Sequence, residues 1–393
     1  MIKGRDMSEK IYYFDHAATT PTHPEVVAAM LPYFTEHFGN PSSLYGLADE
    51  SREAVTHARG QVADALGASP GEIFFTAGGT ESDNWALKGV ALANREKGDH
   101  IITTAIEHHA ILHTCEFLER QGFSVTYLPV DRYGMVDPAA VEEAITDRTI
   151  LVSVMTANNE VGTIQPIAEI GAVAHKHGVL FHTDAVQAVG NVPIDVDAMQ
   201  IDLLSLSGHK FYGPKGTGAL YIRDGVAIET FVHGGGQEKG RRAGTENLPG
   251  LVGLGAAIKR ACDDIHGHTA RVAQLRDRFL DEILESVPEV TLNGHPTERL
   301  PGNINISFAG IDGEALLTLL GMQGVCASTG SACSSGEETP SHVLTAMGVP
   351  PSLARASLRL SLGDLTTEAD VDFLLDTLPD AVARLRRLSR GHA

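Results

Sequence analysis

The stretch "EIFFTAGGTESDNWALKGVALANREKG" (residues 72–98) carries the first evidence of the fold. It begins as a short apolar run of strand character and stops at two glycines. A long helix-compatible stretch follows at once. Outward from it the same alternation recurs. "HIITTAIEHH" (100–109), "SVTYLPV" (124–130), "TILVSVMTANNEVG" (149–162), "GVLFHTDAVQ" (178–187) and "DLLSLSGHKFYGPKG" (202–216) are strand candidates. Helix-like segments such as "PAAVEEAIT" (138–146) and "PIAEIGAVAHKHG" (166–178) lie between them. Strand and helix in turn imply an α/β fold with a largely parallel sheet covered on both faces. In such sheets ligands bind at the carboxyl ends of strands, so the Gly-rich and polar residues closing these runs are the places to seek chemistry.

The last third reads differently. In "RVAQLRDRFLDEILESV" (271–287), Val272, Leu275, Phe279 and Ile283 share one helical face. Two shorter strand candidates follow, "GNINISF" (302–308) and "ASLRLSL" (356–362), and then a charged amphipathic helix over about 368–390. This describes a second, smaller α+β domain. At 393 residues the chain is long enough for both. Its net charge of −20 argues against direct nucleic-acid binding, which needs a basic footprint. No run is long and apolar enough for a membrane span, and no signal peptide is visible. Cys115, Cys262, Cys326 and Cys333 show no zinc-ligand spacing, and reduced thiols in the cytoplasm are the expectation.

Five local patterns carry candidate chemistry, each with a plainer reading beside it. In "TAGGTESDN" (76–84), Gly79 and Thr80 open a helix after a strand, which makes an anion cradle or merely a capped turn. Asp184 in "FHTDAVQA" (181–188) either caps the next helix or pairs with the ring nitrogen of a cofactor. Lys210 in "SLSGHKFYGPKG" (205–216) is a surface lysine or a Schiff-base lysine. In "AIEHHAILHT" (105–114), His109 and His113 share a helix face, but nothing completes a metal-binding pattern. One of the three imidazoles, His108, His109 or His113, could instead stack over a flat ring and move a proton. Arg359 in "SLRLSLG" (357–363) pairs with a carboxylate of the protein or clamps one of a substrate. Together the five form the kit of a pyridoxal 5'-phosphate enzyme: phosphate cup, ring-nitrogen aspartate, Schiff-base lysine, ring-stacking group and carboxylate-binding arginine.

With the motifs "YFDHAATTP" (13–21), "GGTESDN", "EHHAIL", "NNEVGTIQP", "HTDAVQ", "SGHKFYGPKG", "HGGGQEKGRRAGTEN" (233–247) and "GSACSSG" (330–336) in this order, the chain resembles the NifS/IscS-type cysteine desulfurases. These are fold-type-I pyridoxal phosphate enzymes of the class V aminotransferase-like superfamily. The resemblance implies a large domain with a mostly parallel seven-stranded sheet over 16–262, and a small α+β domain from 1–15 and 263–393. The small domain carries a catalytic cysteine loop at about 326–340. It implies removal of sulfur from L-cysteine, giving L-alanine and a persulfide on Cys333. Lys210 is then the cofactor lysine, and His108 stacks on the ring and assists proton transfer. Asp184 meets the ring nitrogen and Gln187 the ring oxygen. Gly79, Thr80, Ser207 and His209 hold the phosphate, joined by Thr245 from the other subunit of a homodimer. Asn159 contacts cofactor or substrate, Arg359 binds the substrate carboxylate, and Asn40 is a further substrate-pocket candidate.

The implied partners are an iron–sulfur scaffold or another sulfur-acceptor protein, with tRNA thiolation as a further destination. No resident metal is implied, though Cys333 can serve as a transient iron–sulfur ligand with a scaffold. A selenocysteine lyase or an aminotransferase would use the same cofactor kit, but the aminotransferase has no need of Cys333. Small residues surround that thiol in "TGSACSSGEE" (329–338), which lowers the cost of moving it and predicts a poorly ordered segment. The long "SSGEETPSHVL" (334–344) after it fits this group. Cys326 is the departure. It reads as an apolar filler, with a resolving or relay thiol as the alternative.

Overall fold

A computed structural model describes residues 10–329 and 340–390. Its strands are β1 (Tyr12–Tyr13), β2 (Ile73–Thr76), β3 (His100–Thr104), β4 (Ser124–Leu128), β5 (Thr149–Ser153) and β6 (Leu180–Asp184). They continue with β7 (Leu203–Ser207), β8 (Gly218–Ile222), β9 (Val290–Leu292), β10 (Asn303–Phe308), β11 (Val325–Cys326) and β12 (Ser357–Ser361). Among the described residues, seven of them form one sheet in the order β2-β8-β7-β6-β5-β3-β4. Only β8 runs against its neighbours β2 and β7; the other pairs are parallel.

Alternation along the strands explains why both faces are covered. Phe75, Ile102, Val152, Phe181 and Leu204 point into one core, packed with residues of the helices Gly46–Leu66 and Leu248–Asp263. Their neighbours Phe74, Ile101, Leu151 and Leu203 point the other way. There they meet Trp85 and Val90 of helix Gly79–Ala93 and Ile111 and Leu118 of helix His109–Arg120. The six runs singled out by their alternation correspond to β2 through β7. β8 follows a Gly-Pro-Lys-Gly turn and carries no polar residue at its ends to mark it.

A second core lies on a three-stranded antiparallel sheet, β12-β10-β9. Phe279 and Ile283 of helix Ile265–Ser286 pack there with Ile304, Ile306, Leu358 and Leu360, and with Leu374 and Leu378 of helix Glu368–Arg390. The N-terminal Phe14 joins this core, and β1 pairs in parallel with β11. The chain's start is thereby held to its last third.

Because β8 is antiparallel to both neighbours, β2 runs the same way as β7. The chain therefore leaves β2, β3, β5, β6 and β7 at one edge of the sheet. Thr76 of β2 and Ser207 of β7 both pair with Gly218. A side chain at 218 has no room: its Cβ would lie 2.6 Å from Leu206 O and 2.7 Å from Gly78 Cα. Gly78 itself sits at φ +149°, which L side chains rarely adopt. These two glycines let the β2 turn close directly over the end of β7.

Candidate active site

The strand ends at this edge enclose a cavity of about 300 Å³. Gly79, Thr80, His108, Asn159, Asp184, Gln187, Ser207, His209, Lys210 and Arg359 all line it. These residues are scattered across the chain; the order of the seven-stranded sheet brings together all but Arg359, which comes from β12 of the smaller sheet.

Lys210 stands on the short 3₁₀ turn Gly208–Lys210 that follows β7. Its Nζ donates to Ala17 O at 2.6 Å and Ala18 O at 2.9 Å. The N-terminal segment thus aims the amine into the cavity. Asp184 closes β6, buried, with its Oδ1 accepting the Val186 N–H at 2.9 Å. Burial pushes its carboxyl up to about 6, opposed by the Val186 N–H and the Lys210 ammonium. Next to it lies Asp83, a residue the motif reading passed over. Its Oδ1 is buried without a hydrogen-bond partner. Burial, and then Asp184, push Asp83 well above the carboxylate range. Burial raises both carboxyls, and Asp184 raises Asp83 further, so their protons belong to the pair. The only sequence signal for Asp83 was a carboxylate on the apolar face of a helix.

His108 caps helix His109–Arg120, its Nδ1 accepting from the Ala110 N–H at 3.1 Å. Burial, then Lys210 and the neighbouring His109 and His113, lower its pKa from 6.5 to about 4. The neutral ring thus carries its proton on Nε2. The unfolded chain takes up a proton near pH 6.5 that the folded chain refuses until about pH 4. The stability that His108 contributes is then complete above 6.5 and is lost as pH falls from 6.5 towards 4. A His108→Gln variant should lose less stability than the parent over that window in urea titrations; identical slopes would contradict the assignment.

At the β2 turn, the N-terminus of helix Gly79–Ala93 faces Ser207 and His209. A Cβ on Gly79 would lie 2.5 Å from Val186 Cγ2, so the cradle accepts only glycine without rearrangement. His209 Nδ1 meets Thr19 Oγ1 at 3.0 Å, and burial, then Lys210 and Lys215, hold its pKa down at about 4. Gln187 spends one Nε2 hydrogen on Ala17 O at 2.9 Å and keeps the other. Arg359, on β12, donates from Nη2 to Asp15 Oδ1 at 3.0 Å and from Nη1 to Asn159 O at 3.2 Å, while its Nε is buried without a partner.

This donor set fits pyridoxal phosphate. A helix N-terminus with a glycine cradle suits the dianionic phosphate. A buried carboxylate suits a protonated ring nitrogen, and an amine held by two carbonyls suits an aldehyde. The buried Arg359 Nε–H suits a carboxylate beyond the ring. No group of three or more His, Cys, Asp or Glu side chains among the described residues could hold a metal ion.

Two expected site residues do not line this cavity. Asn40 is half-buried and uses its Oδ1 on the Ser42 N–H at 2.9 Å. Thr245 is exposed, just before helix Leu248–Asp263. Cys333, with the order expected of its segment, lies outside the described residues. Cys326 is half-buried at the end of β11, opposite Tyr13. Nothing in the structure explains why a thiol stands there.

The chain belongs to the class-V aminotransferase family, whose profile matches residues 12–374. Within it, the chain is one of the NifS/IscS-type cysteine desulfurases. It is 59% identical to cysteine desulfurase IscS of Methanosarcina thermophila, over 98% of this chain and 96% of that protein. It is 56% identical to cysteine desulfurase IscS of Clostridium botulinum, over 97% and 96%. Among solved structures, a NifS-like protein superimposes with a TM-score of 0.91 at 39% identity, covering 96% of this chain and 100% of that one. SspA in complex with cysteine superimposes with a TM-score of 0.81 at 42% identity, covering 90% and 99%.

Proposed function

We propose that this chain is a pyridoxal phosphate-dependent cysteine desulfurase that converts L-cysteine to L-alanine and keeps the sulfur as a persulfide on Cys333. The observation that carries the reading is the convergence of Lys210, Asp184 and Arg359 on one cavity, with the Arg359 Nε–H left without a partner. When bound, the cofactor acts as an electron sink for charge developing at the substrate's Cα.

Each residue's role follows from its position. The Gly79–Thr80 turn, Ser207 and His209 hold the phosphate, and Asp184 keeps the ring nitrogen protonated. Gln187 donates its remaining N–H to the ring oxygen. Arg359 orients the substrate by its carboxylate, beside Asn159. Lys210 would remove the substrate's Cα proton, and neutral His108 would stack on the ring and return a proton. The Cys333 thiolate then bonds to the substrate sulfur as the substrate's carbon–sulfur bond breaks. The bonding pair goes to the carbon skeleton, which takes up protons and leaves as alanine.

The chain is read as a large domain, 16–262, and a small one, 1–15 with 263–393. We read the enzyme as a cytoplasmic homodimer. Leu31, Phe34, Phe38 and Leu44 are large apolar side chains left exposed on one stretch of chain, which supports a second copy covering them. Thr245 then serves the phosphate of the other subunit, and Asn40 belongs to the substrate pocket. The persulfide passes to an iron–sulfur scaffold or another acceptor protein, and through such acceptors to tRNA thiolation. No helix among the described residues is long and apolar enough to cross a membrane. Incubation with L-cysteine and a reductant should yield alanine and sulfide in equal amounts. Alanine without sulfide, or glutamate-dependent amino transfer, would overturn the reading.

A further inference from the structure

The turn after β5 reaches further than the cavity. Asn158 fixes its shape: Oδ1 accepts from the Glu160 and Val161 N–H groups at 2.9 and 3.0 Å, and Nδ2 donates to Ile106 O at 2.9 Å. Asn159, on the cavity side, offers its carbonyl to Arg359. Glu160 is buried and has no place in the chemistry above. Its backbone O accepts from Asn303 and Asn305 of β10 at 3.3 and 3.1 Å. Its carboxyl Oε2 accepts from Ser341 Oγ at 2.5 Å.

Ser341 is itself buried and caps helix His342–Ala346, its Oγ accepting the Leu344 N–H at 3.2 Å. The residue after it, His342, places Nε2 3.0 Å from the carbonyl of Glu107, the neighbour of His108. On the other flank, Ser328 exchanges two backbone hydrogen bonds with Arg359, at 3.1 and 2.7 Å. The described residues on either side of the Cys333 segment are therefore tied to the residues that bind substrate and cofactor. The Ser328 tie is ordinary strand pairing. The Ser341 tie depends on a buried carboxyl, which is costly to place in a core unless it is hydrogen-bonded.

We propose that Glu160 and Ser341 are a positioning pair, which anchors the C-terminal flank of the Cys333 segment to the turn carrying Asn159 and so sets where the nucleophile meets the substrate sulfur. The pair acts on sulfur transfer more than on Cα-proton removal: Lys210 is held by Ala17 and Ala18 and bonds neither residue, whereas the Glu160 turn meets Arg359 through the Asn159 carbonyl. Burial pushes the Glu160 carboxyl up to about 7, against the pull of Ser341 and Arg359. Either protonation state can accept from the Ser341 hydroxyl, and so can a glutamine.

The inference rests on the desulfurase reading, and its test separates the two. In the holoenzyme, two rates are followed with L-cysteine. One is exchange of the substrate's Cα proton with deuterated solvent. The other is persulfide formation in a single turnover, read as a mass increase of one sulfur. Glu160→Ala and Ser341→Ala should slow persulfide formation by about 100-fold, the loss expected from a misplacement of about 1 Å. Exchange should fall by much less than persulfide formation, because the proton-removing amine keeps both of its carbonyl partners. Glu160→Gln should retain most of the persulfide rate, and the double alanine variant should be no slower than either single one. If Glu160→Ala fails to fold, Ser341→Ala carries the same comparison. Unchanged persulfide rates in both alanine variants, or exchange falling in step with persulfide formation, would overturn the pairing. A persulfide still formed by Cys333→Ala would instead remove the nucleophile itself, and the pair's role with it.

Discussion

Replacing Lys210 with alanine should abolish the visible absorbance of the lysine-bound cofactor and slow alanine formation from L-cysteine by about 10²- to 10⁴-fold, the range for loss of a positioned acid–base group. The expectation follows from the position of the amine. Lys210 Nζ is held by the Ala17 and Ala18 carbonyls at the mouth of the β7 turn, in the same cavity as Asp184 and His108. Among the described residues, no other lysine lines that cavity. Lys210→Arg sharpens the test, because a guanidinium can still donate to both carbonyls but cannot give up its proton. If the lysine were structural, arginine would restore turnover. If it is the amine that bonds the cofactor and removes the proton, arginine should be as inactive as alanine. Turnover within about tenfold of the parent in Lys210→Ala, a loss too small for an essential base, would sink the assignment.

Cys333→Ser should be just as inactive in alanine release, yet spectroscopically close to the parent. The serine hydroxyl nearly matches the thiol in size. It is almost never ionised near neutrality, whereas a free thiol of pKa about 8.5 is a few per cent thiolate at pH 7 and intrinsically far more nucleophilic towards sulfur. The groups that hold the cofactor lie at the ends of β6 and β7, at the start of helix Gly79–Ala93 and after β3 and β5, so cofactor absorbance and its change on adding L-cysteine should persist. Alanine release should fall by at least about 10³-fold, as expected when an essential nucleophile is removed. The contrast separates the two variants. Lys210→Ala is silent in both readouts, and Cys333→Ser only in the second. Retained alanine release by the serine variant would point to amine chemistry that needs no thiol.

Much of the site could be read along the chain because its residues sit at strand ends, and strand ends announce themselves. Asp184 and Lys210 each close an apolar run, and Gly79-Thr80 opens a helix after another. The residues that escaped notice have a weak local signature or none. Asp83 occupies a helix interior, where a carboxylate ordinarily reads as a solvated residue; only the fold buries it beside Asp184. The Ala17 and Ala18 carbonyls that hold Lys210 are backbone groups, which no residue type advertises. Glu160 stands in the midst of a recognisable motif, but its partner Ser341 is distant in sequence, and nothing local links the two.

By itself the sequence determined the local periodicities. The short apolar runs of β2 through β7, alternating with helix-like segments, dictated a covered, mostly parallel sheet. The amphipathic helices and short strands of the last third dictated a second core. The tertiary structure decided which strand ends share an edge. The antiparallel β8, inserted between β2 and β7, brings the Gly79 turn level with Ser207, because Thr76 and Ser207 both pair with Gly218. It also decided the electrostatics. Burial, a property of the packed chain and of no residue in isolation, keeps His108 neutral and raises both Asp83 and Asp184.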